Sequence, residues 1–463
     1  MKRSRMQTMA KNAAEITARV AILGISTQIL LGIFWILRNF TSFQELRESF
    51  FFLKLQESMV CDEYVGILYP FIMRMATKME LVTSLPAHSL LYALQLMIAG
   101  SAVWYFWNCI PAVKQKSFYV KLWLTLAMVT FPSAAQCHLA VLPNSLTASL
   151  YLVSVGILFQ KEGKPGVKIT KLGILWLAET LLMPEYYLFG GILMMILVIR
   201  VLPKAFYGIL IAAVFCAGIP VILGWTSQEG ALGRMRQTAQ AAAMRRLAWN
   251  SYGDFYPSWP KELREALTQE EIKEIMDYPE QAVWVLGNAV DEKLGKQKAR
   301  EIYGTVAKEA LRIRFRENVK DMIIDALCYG FVPASRHVLL TGKGDHFTLE
   351  RVNYEAMRAV APKLTAVYVR FDGYCFWGCL LIGFCWQIVI LVKSKNGARK
   401  GVILRMLICG TVMGIIISYY VFQAGGCMDE KKCLPVTMFW MAWFCQLVIK
   451  TLDVKEQKTE SGT

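Results

Sequence analysis

The sequence predicts an all-α polytopic membrane protein with about ten transmembrane helices, interfacial helices and a small helical extracytoplasmic segment. Of its 463 residues, 55% are hydrophobic and only 19% are charged, which is more apolar than an ordinary soluble enzyme. Apolar runs of roughly 18–20 residues recur, and each is long enough to cross a hydrocarbon core about 30 Å thick. Lys and Arg are concentrated in alternate connecting loops, as in membrane proteins that keep basic loops in the cytoplasm.

The first predicted span covers residues 20–37. It follows a basic N-terminus with five Lys or Arg residues and one acid, Glu15. Because no small-residue cleavage site follows, we interpret it as an uncleaved start-transfer helix with its N-terminus in the cytoplasm.

The remaining spans are predicted at 88–108, 119–136, 140–159, 171–183, 186–201, 205–225, 373–392, 403–423 and 434–450. Alternate threading keeps both termini in the cytoplasm and favours the plasma membrane of a bacterium. It divides the chain into a catalytic core at 1–225 that includes a first outer loop at 38–87, an extracytoplasmic helical segment at 226–371, and C-terminal helices with a cytoplasmic tail at 372–463.

Two features interrupt the regular pattern. The fifth and sixth spans are short and meet at an outer elbow, "LLMPEYYLF", and short helices at membrane depth are tolerated where they line protein or a wet cavity. Within the long outer segment, the apolar stretch 322–340 contains Asp325, Pro333 and Arg336. We predict that this stretch lies on the membrane surface.

The first outer loop carries an adjacent acid pair, Asp62 and Glu63, between two amphipathic stretches. Arg74 and Lys78 follow four residues apart, on one face of the second stretch. Cations that hold a phosphate and an acid that serves as a base suit a phosphate-headed lipid. The alternative is a solvated pair of loop acids.

Further candidate side chains lie near the outer ends of other spans. Glu179 falls inside the fifth span, where a carboxylate is costly and faces a cavity or a partner, unless the span ends earlier. Glu185 in the elbow lies on the outer side, where it can face the same cavity as Asp62. His138 lies at a span end, where an interfacial role is the alternative. Arg234 and Arg236 follow the seventh span and either clamp a phosphate or rest on lipid headgroups.

This layout resembles the GT-C superfamily of integral membrane glycosyltransferases, near the branch of dolichyl-phosphate-mannose protein mannosyltransferases and aminoarabinose transferases. The resemblance covers residues 1–250 and depends on "DEY" at 62–64 in the first outer loop, on the tight outer turn between the third and fourth spans, and on the short fifth and sixth spans. Relatives often carry an acid where Asn144 stands; we interpret Asn144 as the start of a helix.

The resemblance implies transfer of a sugar from a polyprenyl-phosphate carrier to a glycan, lipid or protein acceptor of the cell envelope, on the extracytoplasmic side. It implies that Asp62 is the general base and that Glu63 positions the substrate or shares the proton, with Tyr64 beside them. It also implies that Arg74, Lys78, Arg234 and Arg236 neutralise the leaving phosphate, and that His138, Glu179 and Glu185 contribute to substrate binding.

Alternatives of other classes remain. One alternative is a divalent cation held by Asp62, Glu63 and Glu185, although no metal cluster is visible in the sequence. Separately, Cys427 and Cys433 can form a disulfide in an outer loop. The net charge of +16 is explained by the inner loops and does not indicate nucleic acid. The rival functions are a transporter or lipid flippase, which predicts matching broken helices in two halves, and a non-catalytic scaffold for envelope assembly.

Overall fold

The computed structural model of the protein describes residues 2–43, 53, 66–160, 163–201, 206–226, 256–276, 289–331, 339–340, 347–348, 367–368, 376–378, 380–385, 387–388, 396–424 and 434–460. This part of the chain is helical except for its connections and one antiparallel pair of two-residue strands. Those strands are β1, Leu339–Leu340, and β2, Phe347–Thr348, with Leu339 opposite Thr348. The predicted all-α class is confirmed.

In the N-terminal part of the chain, two long helices are separated by a shorter one. Helix α1 spans Lys2–Asn39, α2 spans Leu68–Thr83 and α3 spans Ala87–Cys109. Helix α2 ends because Ser84 takes a left-handed conformation (φ 58°) and its N–H donates to the carbonyl of Glu80, a common way for a helix to stop. The predicted spans 20–37 and 88–108 lie inside α1 and α3.

Three of the next five helices begin at a proline, and all five are shorter. These are α4, Pro111–Lys114; α5, Phe118–Val129; α6, Pro132–His138; α7, Asn144–Phe159; and α8, Pro165–Leu182. Proline suits the first helical position because its missing N–H would have no intrahelical partner there.

The stretch 119–136, predicted as one span, bends by 74° between α5 and α6. The residue before Pro132 is Phe131, whose backbone is extended (φ −70°, ψ 147°). Proline disfavours the helical conformation in the residue before it, so the break follows from Pro132.

The remaining helices are α9, Tyr186–Val201; α10, Phe206–Thr226; α11, Lys261–Ala266; α12, Gln269–Met276; α13, Lys296–Ile313; α14, Phe315–Phe331; α15, Asn396–Ala424; and α16, Leu434–Glu460. A single 3-10 turn at Tyr256–Ser258 precedes α11. The C-terminal end of α14 packs on the last two helices. Tyr329 stacks on Tyr420, and Trp440 Nε1 donates to the carbonyl of Gly330 over 2.6 Å.

Two of the described helices, Ile16–Asn39 and Ala87–Cys109, are long and apolar enough to cross a membrane, and the bent pair α5–α6 makes a third if it counts as one span. Shorter apolar helices include α7, most of α9 and α16, and the Gly410–Val421 part of α15. These helices are compatible with a membrane protein. The number of spans stays a prediction.

The centre of the bundle is formed by α3 and α7, which pack along each other more extensively than any other described pair of helices. The two helices are in contact at Gly156, where a Cβ would lie 3.5 Å from the Cα of Phe106 and 3.4 Å from Cys109 Sγ. The α8–α9 hairpin packs beside this pair. Its contact depends on Trp176, whose ring stacks on Tyr187 and whose Nε1 donates to the carbonyl of Tyr187 over 2.9 Å.

Gly190 makes room for the Trp176 ring. A Cβ at Gly190 would lie 2.2 Å from Trp176 Cδ1, so we expect Gly190→Ala to displace the ring and lower the free energy of unfolding by about 1–3 kcal/mol. Thermal unfolding of the purified protein measures the effect. Gly100→Ala in α3 is the matched control, because no atom lies within 4 Å of a Cβ there and alanine is the better helix former. Equal unfolding temperatures for the two variants would contradict the packing argument.

In the outer segment, α12 begins with a capping box. Thr268 N–H donates to Glu271 Oε2 over 2.7 Å, and Glu271 N–H donates to Thr268 Oγ1 over 3.2 Å. Lys293 Nζ donates to the other carboxylate oxygen over 2.6 Å. The hydrogen bond from Lys293, followed by that from the Thr268 N–H, lowers the pKa of Glu271 to about 2.

Because folding lowers the pKa of Glu271, its carboxylate stabilises the segment fully at pH values above its ordinary pKa of 4.5. This contribution is lost as the pH falls towards 2. We expect Glu271→Gln to speed amide exchange in α12 at pH 7, measured by hydrogen exchange and corrected for intrinsic rates. The difference from wild type should shrink as pH is lowered from 4.5 towards 2. Glu270→Gln, one position earlier, is the control and should leave exchange unchanged at every pH.

Candidate functional site

Two of the predicted site residues lie where α8 turns into α9. Only Met183, Pro184 and Glu185 connect the two helices. The turn is fixed by backbone hydrogen bonds from Met183 N–H to the carbonyl of Glu179 over 2.8 Å and from Tyr186 N–H to the carbonyl of Met183 over 3.0 Å. The predicted elbow is therefore a tight, internally bonded turn, with a carboxylate on each side of it.

Glu179 lies in the last turn of α8 and is fully buried. Ser154 Oγ, from α7, donates to Glu179 Oε1 over 2.6 Å. Within the described part of the chain, Glu179 Oε2 has no hydrogen-bond partner. Because α8 continues to Leu182, Glu179 is inside the helix; where the span ends stays a prediction.

Glu185 is also buried. Tyr420 Oη, from α15, donates to Glu185 Oε1 over 2.7 Å. Tyr186 packs edge-on against Tyr151, with ring centroids 5.5 Å apart. Tyrosine rings thus lie around the elbow. The hydrogen bond between Glu185 and Tyr420 joins the elbow to α15, more than 200 residues later in the chain.

The first outer loop returns to this elbow at Gly66. The Gly66 N–H donates to the carbonyl of Leu182 over 3.1 Å, and a Cβ at position 66 would lie 1.8 Å from the Leu181 oxygen. Only glycine permits so close a backbone approach. Helix α2 starts two residues later with buried Tyr69, whose hydroxyl donates to Gln95 Oε1 over 3.4 Å.

His138 is buried at the end of α6. Its Nδ1 lies 2.7 Å from Ser145 Oγ, in the first turn of α7. Gln95 Nε2 donates to the carbonyls of His138 and Ala140, over 2.7 and 3.0 Å, and so holds the turn between α6 and α7. His138 Nε2 has no partner among the described residues. Helix α7 begins at Asn144, as predicted.

Arg74 and Lys78 lie on the exposed side of α2, whereas Met73 and Ala76 face the core. Large apolar side chains are exposed on the same helix, namely Phe71, Met75, Met79, Leu81 and Val82. A helix that buries one face and presents cations among apolar side chains on the other suits a membrane surface.

A cavity of about 260 Å³ lies between α2 and the start of α3. Its apolar walls include Phe43, Leu53, Met73 and Val141, and its polar lining includes Glu80 and His88. His88 Nε2 also lies 3.1 Å from the carbonyl of Thr41, which fixes the chain as it leaves α1. Arg74 and Lys78 are not among the residues that line this cavity.

Several predicted site residues fall outside the described part of the chain. These are Asp62, Glu63, Tyr64, Arg234 and Arg236. The two cysteines of the predicted disulfide, Cys427 and Cys433, also fall outside it. The described residues contain no group of three or more His, Cys, Asp or Glu side chains that could hold a metal ion. The structure therefore brings Glu179 and Glu185 to one elbow, and the catalytic assignments remain predictions.

Sequence reasoning missed the partners of the buried acids. A carboxylate inside a helix bundle requires a donor, and Ser154 is a polar residue in the otherwise apolar run "YLVSVGILF". That signal could have singled out Ser154. Tyr420 carried no such signal, since its partner Glu185 is 235 residues away in sequence.

Comparisons of the chain with protein families, curated proteins and solved structures found no match. The functional argument accordingly depends on the sequence pattern and on the geometry of the described residues.

We expect Tyr420→Phe to remove the hydrogen bond to Glu185 Oε1 and to lower the free energy of unfolding by about 1–3 kcal/mol. Thermal unfolding of the purified protein measures this change. Tyr119→Phe removes the same hydroxyl from a side chain that is 80% exposed and should have no effect. If both variants unfold like wild type, the Tyr420–Glu185 hydrogen bond does not stabilise the fold.

Proposed function

We propose that the protein is an integral membrane glycosyltransferase that moves a sugar from a polyprenyl-phosphate carrier to an acceptor hydroxyl. The proposal includes about ten spans, a bacterial plasma membrane, cytoplasmic termini and a reaction on the outer face. The observation that carries it is the backbone contact of Gly66 with Leu181 and Leu182, because it ties the acid-bearing loop to the elbow with its two buried carboxylates.

Covalent geometry limits how far Asp62 lies from this elbow. Asp62 precedes Gly66 by four residues, and four residues span at most about 14 Å when fully extended. Since Gly66 is bonded to the end of α8, this bound supports a site shared by Asp62 and the elbow acids.

In the proposed reaction, Asp62 accepts the proton of the acceptor hydroxyl as general base. The acceptor oxygen forms a bond to the anomeric carbon while the bond from that carbon to the phosphate oxygen breaks. The bonding electron pair leaves with polyprenyl phosphate, and in-line attack inverts the anomeric centre. Glu63 and Tyr64 orient the sugar, and the proton held by Asp62 returns to solvent.

The charge that develops on the leaving phosphate requires cations. Arg74 and Lys78 are exposed on α2 among apolar side chains, which suits a phosphate at the surface of a membrane. Arg234 and Arg236 are further candidates for this role. The proposal does not depend on any one of these four residues.

The cavity beside α2 suits the first part of the isoprenoid chain. At about 260 Å³ it is smaller than the roughly 300–1,000 Å³ of sites for whole small molecules. Its walls are mostly apolar, so a segment of hydrocarbon fits it better than a sugar. Glu179 Oε2 and His138 Nε2 are buried groups without a described partner, and they suit hydroxyl groups of the sugar.

A proton-coupled lipid transporter is the second candidate. The buried carboxyl of Glu179, with one oxygen unpartnered among the described residues, is the observation that favours it, because intramembrane acids often relay protons. The two candidates differ in whether a covalent bond breaks. Release of the free carrier phosphate therefore distinguishes them.

We expect Asp62→Asn to lower turnover by roughly 10²–10⁴-fold, the range that loss of a general base produces, without a change in unfolding temperature. The measurement is release of polyprenyl phosphate from a panel of polyprenyl-phosphate sugars by purified protein. Asp291→Asn, in the outer segment, makes the same carboxylate-to-amide change away from the proposed site. This control variant should retain turnover. Undiminished release by Asp62→Asn would exclude the assigned base, and carrier movement across vesicles without release would favour the transporter.

A further inference from the structure

A basic surface lies at the ends of α3, α7 and α9 that the proposed topology places in the cytoplasm. We call it the inner basic surface. It comprises seven described cations: Lys114, Lys116, Lys121, Lys164, Lys168, Lys171 and Arg200. The described residues at 108–121, 163–171 and 196–200 contain no acid; Glu162 lies outside the described residues.

Close helix packing brings these cations together. A Cβ at Gly156 would lie 3.4 Å from Cys109 Sγ, so the ends of α3 and α7 lie against each other. Lys114 follows α3 five residues after Cys109. The start of α8, which carries Lys168 and Lys171, is held at the end of α7 by the hydrogen bond from Lys168 Nζ to the carbonyl of Gln160.

Two of the cations are engaged by the ends of helices. Lys168 is buried, and its Nζ donates to the carbonyl of Gln160 over 2.6 Å, just beyond the end of α7. Arg200 donates to the carbonyl of Leu158. These cations complement the negative end of the α7 dipole. Lys114, Lys164 and Lys171 have exposed side chains.

Aromatic and apolar side chains border the lysines. Phe118 and Tyr119, at the start of α5, are exposed, and Trp104 packs on Phe118 with ring centroids 5.3 Å apart. Val167 and Ile174 are exposed on α8. Aromatic side chains next to lysines are typical of the headgroup region of a bilayer, so the charges lie at the depth of lipid phosphates.

We propose that the inner basic surface binds the headgroup of an anionic membrane phospholipid, with its phosphate between Lys114 and Lys171 at the end of α3. Basic pockets between helices on the cytoplasmic side bind such headgroups, and a membrane phospholipid delivers acyl chains to the apolar side chains beside the lysines. This inference requires the proposed membrane topology but not glycosyl transfer, so its test is independent of turnover.

Native mass spectrometry of the full chain tests this proposal with phosphatidylglycerol and phosphatidylcholine of identical acyl chains. We expect phosphatidylglycerol to bind more tightly, and its binding to weaken as salt is raised. The double variant Lys114→Ala and Lys171→Ala should lose about fivefold in affinity per lysine. The control removes the same charge from the outer segment by Lys261→Ala and Lys308→Ala and should bind like wild type.

The charge-retaining variant Lys114→Arg and Lys171→Arg should keep its preference for phosphatidylglycerol, which separates lost charge from lost fold. Equal binding of the two lipids by wild type would overturn the proposal. So would an undiminished preference in the double alanine variant. Displacement of the lipid by millimolar inorganic phosphate would indicate a site for free phosphate and would also overturn it.

Discussion

The carbonyl groups of the last turn of a helix have no partner within that helix, and in α8 one of them is satisfied by a distant segment. The Gly66 N–H donates to the carbonyl of Leu182, and the Gly66 Cα lies so close to Leu181 that any side chain would collide with its oxygen. The first outer loop is therefore joined to α8 through backbone atoms. The relation between the acid pair and the elbow depends on this contact.

The same elbow connects the two ends of the chain. An unpaired buried polar group is costly, so Glu185 needs its donor, and that donor is Tyr420 of α15. Tyr420 in turn stacks on Tyr329 of α14. Because one carboxylate requires a partner from the C-terminal helices, the packing of α14 and α15 determines the surroundings of the candidate site.

Hydropathy predicted the helical class and the positions of α1 and α3, because a long apolar run in either helix is visible in sequence alone. It missed the break before Pro132, since an average over many residues does not register a single ring that forces Phe131 into an extended conformation. Glu179 was recognisable because a carboxylate in an apolar run needs a partner. The Tyr420–Glu185 pair was not, because it joins residues far apart in sequence.

The distribution of charge explains why α2 belongs to the proposed site. The anionic carrier of the proposed reaction needs cations beside it, and the elbow acids Glu179 and Glu185 supply none. The inner basic surface lies at the opposite ends of the helices and is too distant to supply them. Among the described residues, Arg74 and Lys78 are cations on a helix that starts beside the elbow. In the proposed reaction, α2 therefore supplies the positive charge that accompanies the anionic donor to the elbow.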